Sequence, residues 1–87
     1  MIRISPTLST SMLDNELVLL DSATGTYFGL NPVASRIFQL LKETGDAGQT
    51  VAALVSEFEA SEERLKADVA SFVRLLEDKG LILSDAA

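Results

Sequence analysis

The chain of 87 residues contains no cysteine and no histidine. Those two absences exclude disulfides, a thiolate nucleophile, an imidazole base and the usual zinc ligands. A cytosolic home agrees with the missing cysteine. Residues 1–14 hold no apolar run of signal-peptide length, and no segment approaches the ~20 apolar residues of a membrane span. A soluble, cytoplasmic protein is therefore expected. Bases are scarce as well: seven Lys and Arg stand against thirteen Asp and Glu, a net charge of −6. That field repels polyanions, so neither nucleic acid nor an anionic membrane is an expected partner. Its first use is solubility; a mild preference for basic peptides is the second. The length suits one domain, 1–87, large enough to fold without staples.

What is present begins with a loosely held lead-in, residues 1–7, where Pro6 blocks regular structure. Leu8 to Leu13 reads as a strand with Leu8 and Met12 on one face, and Asp14-Asn15 as a polar turn. Glu16 to Asp21 and Thr26 to Leu30 read as two further strands. Between them, Ser22-Ala23-Thr24-Gly25 carries its Gly late, where a hairpin loop needs positive φ. The result is a three-stranded antiparallel meander with Glu16–Asp21 in the middle and Thr26–Leu30 at an edge.

Three helices follow. Asn31 caps the first and Pro32 suits its first position. Val33, Ile37, Phe38, Leu40 and Leu41 form its apolar stripe until Gly45 stops it. Thr50 is the expected cap of a shorter second helix with Val51, Leu54, Val55 and Phe58 on one face. Ser61 caps the third, with Glu62 and Glu63 complementing its dipole. Its apolar positions are Leu65, Val69, Phe72, Val73 and Leu76, with Leu75 beside them, and Lys79-Gly80 ends it. Leu81 to Leu83 runs on as a short extended tail. The fold class is α+β and winged-helix-like: a three-stranded antiparallel sheet followed by three helices.

Catalytic chemistry finds little to work with. The carboxylates are scattered; Glu62 with Lys66, and Arg64 with Asp68, fall at the i,i+4 spacing of exposed helix pairs. Nothing constrains Glu62, Glu63 and Asp68 into a metal site. Gly25 and Gly29 do not form a phosphate loop, because no Lys-Ser/Thr follows. No enzyme activity, metal or cofactor is expected. A DNA-reading helix exposes Arg, Lys, Asn or Gln. Here Arg64, Lys66 and Arg74 are surrounded by Glu62, Glu63, Asp68, Glu77 and Asp78.

An interaction surface is better supported. Thr26-Tyr27-Phe28-Gly29-Leu30 lacks the Lys or Pro that usually guards an edge strand. Pairing Asp21 with Thr26 sets Leu20 opposite Tyr27 and Leu19 opposite Phe28. Leu17, Leu19, Phe28 and Leu30 then share one face, and Val18, Leu20 and Tyr27 the other. One face packs on the helices, and an extended peptide can join the edge as a fourth strand. The bland alternative makes Phe28, Leu65, Val69 and Phe72 ordinary core, with Tyr27 needing water or a partner for its hydroxyl.

The string LVLLDSATGTYFGLN, followed by a helix with Ala34 and Ile37, resembles the PqqD-like family, whose members are recognition elements for the leaders of ribosomally made peptides. VAALVSEF and DVASFVRLLEDKGLI are similar to its second and third helices, so the resemblance covers nearly the whole chain. Within the family, the wording is most like that of the stand-alone leader-binding proteins of lasso-peptide biosynthesis. The resemblance implies a leader docked as an antiparallel strand on the third strand, beside the third helix. It places Thr26, Tyr27, Phe28, Gly29 and Leu30 along the peptide, with Leu20 beside them and both Tyr27 and Phe28 at the cleft's rim. Val69, Phe72, Val73 and Leu76 form the opposing wall, and Asp68 or Arg74 fixes a polar leader group. In the lasso branch the leader presents a Tyr and a Pro with two residues between. The implied partners are the precursor's leader, a cysteine protease that removes it, and the cyclase. The alternatives are a PqqD-type peptide chaperone for a radical SAM enzyme, another modified-peptide pathway, or a winged-helix regulator that dimerises or binds DNA.

Overall fold

Residues 2–14 and 16–84 are described by a computed structural model. Eight elements follow one another: β1 (Ile2–Ile4), β2 (Leu8–Leu13), β3 (Glu16–Asp21), β4 (Thr26–Gly29), α1 (Pro32–Thr44), α2 (Ala47–Glu57), α3 (Glu62–Asp78) and β5 (Ile82–Ser84). The class is α+β, as expected. β2, β3 and β4 form the antiparallel meander with β3 in the centre. Its β3–β4 register sets Asp21 opposite Thr26, Leu20 opposite Tyr27 and Leu19 opposite Phe28, as the hairpin predicts.

Strand alternation then sorts the side chains. Leu17, Leu19 and Leu30 are buried and Phe28 packs against them, so this face lies on the helices. Val18, Leu20 and Tyr27 point the other way. Asp21 shares the inner face and is buried, and the polar groups around it explain how it is tolerated. It accepts from Thr7 Oγ1 at 2.9 Å, Ala23 N–H at 3.1 Å and Thr24 Oγ1 at 3.3 Å. Its carbonyl takes the N–H of Gly25, which sits at φ 74°. One carboxylate thus closes the loop between β3 and β4. Asp14 takes a left-handed φ of 49° after β2; the Asn15 half of the expected turn lies outside the described residues.

Two expectations are corrected. Ile2–Ile4, read as part of a loose lead-in, pairs antiparallel with β5 to make a separate two-stranded sheet. Ile2 and Ile4 alternate with Arg3 and pack on the core beside buried Leu81 and Ile82, and Pro6 falls after the strand and leaves it intact. The second helix begins before Thr50. Asp46 caps it, its carboxylate accepting from Gly48 N–H at 3.1 Å. Thr50 is fully buried inside the helix and donates its hydroxyl back to Asp46 O at 2.9 Å, a bond Thr makes readily in a helix interior.

The other helix ends are those expected. Asn31 Oδ1 accepts from Ala34 N–H, Gly45 closes α1 at φ 65°, and Ser61 Oγ accepts from Arg64 N–H. At the far end of α3, Leu81 N–H donates to Leu76 O at 2.9 Å while Gly80 takes φ 71°. This is a Schellman closure with buried Leu76 and Leu81 as its apolar contact. Arg36 grips Glu57 with two bonds of 2.8 Å and ties α1 to α2. That hydrogen bonding holds the Glu57 carboxyl below its usual range, so the pair's contribution is present above the unfolded carboxyl's pKa and fades as pH falls through the folded one.

The sheet and the helices meet at Ser35, in the first turn of α1. Its buried Oγ accepts from Leu17 N–H at 2.8 Å and donates to Leu30 O at 3.1 Å, while Leu30 N–H donates to Leu17 O at 2.8 Å. Ser35→Ala strands a buried donor and should cost about 1–3 kcal/mol. Urea unfolding should show a lower midpoint at an unchanged slope; an unmoved midpoint would mean the hydroxyl tie is not what holds β3 to α1.

Candidate functional site

β3 occupies one side of β4, and no described strand occupies the other. Hydrogen-bonded and non-hydrogen-bonded pairs alternate along an antiparallel ladder. The bond from Leu30 N–H to Leu17 O makes that pair a bonded one, so Phe28–Leu19 and Thr26–Asp21 are bonded too. Tyr27 and Gly29 fall on the intervening positions and turn their N–H and C=O groups toward the open edge. A Cβ built on Gly29 would meet nothing within 4 Å, so the outer face is open at this position.

α3 borders it. Asp68, Ser71 and Phe72 line a groove of about 290 Å³ together with Asn31, Val33, Ala34 and Ile37, at the point where β4 gives way to α1. At the other end of the helix, Lys79 Nζ stands 4.8 Å from the centroid of the Phe28 ring. Leu75, three residues after Phe72 and four before Lys79, falls on the same helical face and is 48% exposed. The side of α3 that looks toward β4 therefore carries Asp68 at the groove, Phe72 and Leu75 next along it, and the Lys79 ammonium over Phe28 at its far end. Asp68 is paired loosely with Arg64 one turn earlier, at 3.6 Å. No described carboxylate pairs with Lys79.

This geometry revises the expected site. Phe28 turns inward, half-buried, whereas Tyr27 is 72% exposed on the outer face, so the two do not share the rim. Strand alternation sends neighbours to opposite faces. Leu20, directly across from Tyr27, is likewise on the outer face, away from α3. Leu30 is buried and both its backbone groups are used, by Leu17 and Ser35, so it offers no edge. Thr26 is the bonded partner of Asp21. Val69 and Leu76, 1% and 2% exposed, belong to the core and not to the cleft wall. Val69 backs a groove on the α2 side with Ala47, Gly48 and Val51, because successive helical residues lie about 100° apart. Val73 is half-buried against the core.

Phe72 and Asp68 do reach the groove, and Gly29 the edge. The residues that sequence reasoning missed are Asn31, Val33, Ala34 and Ile37 from the start of α1, and Ser71, Leu75 and Lys79 from α3. Helical spacing from Phe72 pointed to Leu75; nothing local pointed to the contribution of α1. On the outer face, Ser9, Ser11 and Leu13 of β2 join Val18, Leu20 and Tyr27 in a second, shallow apolar surface. Among the described residues no three carboxylates come together as a metal site.

A family model described as Coenzyme PQQ synthesis protein D (PqqD) matches residues 16–82. Two solved structures resemble the chain over almost its full length. TbiB1 in complex with the TbiA(beta) leader peptide is 36% identical with a TM-score of 0.89, the match covering 98% of this chain and 99% of that one. Lasso peptide synthetase B1 complexed with the leader peptide is 31% identical with a TM-score of 0.87, covering 95% and 98%. No curated protein matches.

Tyr27 is the only tyrosine and tryptophan is absent, so intrinsic emission reports on the outer face alone. Acrylamide should quench it nearly as well as it quenches free tyrosine. Strong protection from quenching in the isolated protein would show that the outer face is covered.

Proposed function

Because this chain belongs to the PqqD family, we propose that it is a non-catalytic adaptor that captures the leader of a ribosomally made precursor peptide. The leader adds to the open edge of β4 as a further antiparallel strand, and the adaptor delivers it to a leader peptidase in lasso-peptide biosynthesis. The observation that carries this reading is the pair of outward-facing residues, Tyr27 and Gly29, on an open edge that leads into the groove between α1 and α3. The two similar proteins solved with leader peptides support the choice of guest.

The energetics suit the task. Backbone bonds at Tyr27 and Gly29 contribute about 1 kcal/mol each and set the register without reading sequence. Each large apolar side chain seated in the cleft contributes roughly 1.5–3 kcal/mol, so a few anchors give micromolar or tighter capture after ordering costs. Alternate guest residues meet Phe28, Phe72 and Leu75, while those between them pass to the outer face beside Tyr27.

The cleft itself supplies one carboxylate, one ammonium and the Ser71 hydroxyl, with no base placed to activate it. In this reading peptide cleavage belongs to a partner, a cysteine protease, and ring closure to a cyclase. No helix among the described residues is long and apolar enough to cross a membrane.

The leader encoded beside this gene, carrying a fluorophore, should bind saturably. Leu75 is exposed, so Leu75→Glu should leave the circular dichroism spectrum unchanged and weaken capture about tenfold or more. Gly29→Pro removes one outward N–H from a position that makes no ladder bond, and should weaken it about fivefold. Absence of saturable binding, or binding indifferent to both changes, would refute the proposal.

A further inference from the structure

Lys79 is placed with more care than an exposed lysine needs. It follows the last turn of α3, and the Schellman closure on either side of it pins its backbone: Leu81 N–H to Leu76 O, with Gly80 at φ 71°. Its ammonium lies over the Phe28 ring, at the edge of the cleft, with no described carboxylate to pair with. The chain carries a net charge of −6, and Glu77 and Asp78 directly precede Lys79, yet neither forms an ion pair with it. Nearer the start of the same helix, Asp68 lines the groove that α3 forms with α1. This side of α3 is thus electrically polar along its length.

We infer that Lys79 selects for an acidic residue in the guest peptide, at one position on the side of the guest strand that leaves the cleft beside Phe28. The inference rests on the strand-addition reading above and adds a chemical preference to it. Its geometry follows from the two elements. β4 runs toward Asn31, whereas α3 runs from Asp68 toward Lys79, so the two are antipolar along the cleft. An antiparallel guest therefore travels in the direction of α3, entering near Asp68 and leaving near Lys79. Asp68 and Lys79 are separated by roughly 16 Å of helix axis, which is about five residues of strand. The ammonium itself lies over Phe28, three residues before Asn31, and only alternate guest residues face α3, so the acid falls two or four positions after the residue seated against Asp68 and Phe72.

Cation–π contact leaves the Lys79 charge unneutralised, because the ring supplies only a quadrupole. A guest carboxylate there completes an ion pair at a partly desolvated rim, while a guest base meets repulsion. The same charge pattern resists a guest laid in backwards.

The test uses the intact protein and the fluorophore-labelled leader encoded beside this gene. A single Glu, and separately a single Lys, is walked along the leader in place of uncharged residues, against the wild type, Lys79→Met and Lys79→Glu. Glu at one position toward the leader's C-terminal side should bind about two- to fivefold more tightly than Lys there. Lys79→Met should abolish that difference and Lys79→Glu should invert it, with the preference shrinking as salt is raised. If the leader binds but no position responds to Lys79, this inference fails and the function stands. A responding position on the N-terminal side overturns the inferred strand direction. If the leader does not bind at all, both are refuted.

Discussion

A single buried hydroxyl sets the shape on which everything else depends. Ser35 receives the N–H at the start of β3 and gives its proton to the carbonyl just after β4. Both groups are in the interior, where an unpaired backbone donor or acceptor is costly. By satisfying them from the first turn of α1, Ser35 lets the chain leave the sheet and enter a helix within two residues, Leu30 and Asn31. No connecting loop remains to fold back over β4. Its outer edge is left open by the same contact that closes its inner end.

That arrangement divides the labour between neighbouring atoms. Along β4, Thr26 and Phe28 spend their backbone groups on β3, while Tyr27 and Gly29 keep theirs outward. Around α3, Leu65, Val69 and Leu76 hold the core, while Asp68, Ser71, Phe72 and Leu75 turn toward the cleft. The packed core and the open surface therefore come from different faces of the same two elements. Phe72 belongs to both: it is buried, yet it lines the groove.

How much of this was legible follows from the range of each signal. Short-range patterns were readable: the LVLLDSATGTYFG hairpin gave its own register, and Asn31-Pro32 and Ser61 marked two helix starts. β1 was not, and β5 was read only as an extended tail without its partner, because their pairing joins segments far apart in sequence and three residues carry no periodicity worth reading. Thr50 misled because Asp46, four residues earlier, is the better cap and the threonine found a use inside the helix. At the site, alternation was correctly assigned along the strand but not carried through to its consequence that Tyr27 and Phe28 cannot share a rim. The α1 wall of the groove was invisible for a different reason. Val33 reads as a core position by spacing, yet it is 41% exposed and lines the groove.

An edge that binds through its backbone has a problem of discrimination, since every peptide carries the same N–H and C=O groups. Apolar walls such as Phe72 and Leu75 improve affinity but select weakly, because one methylene more or less changes little. Charge selects more sharply, as the wrong sign is repelled and an unpaired buried charge is penalised. The overall field of this chain is negative, so it favours basic guests at a distance. Lys79 opposes that field locally, and Asp68 reinforces it at the other end. In the proposed complex a guest that matches both needs the right charge order as well as the right anchors, and two side chains on one helix would give direction to an edge whose backbone groups read no sequence.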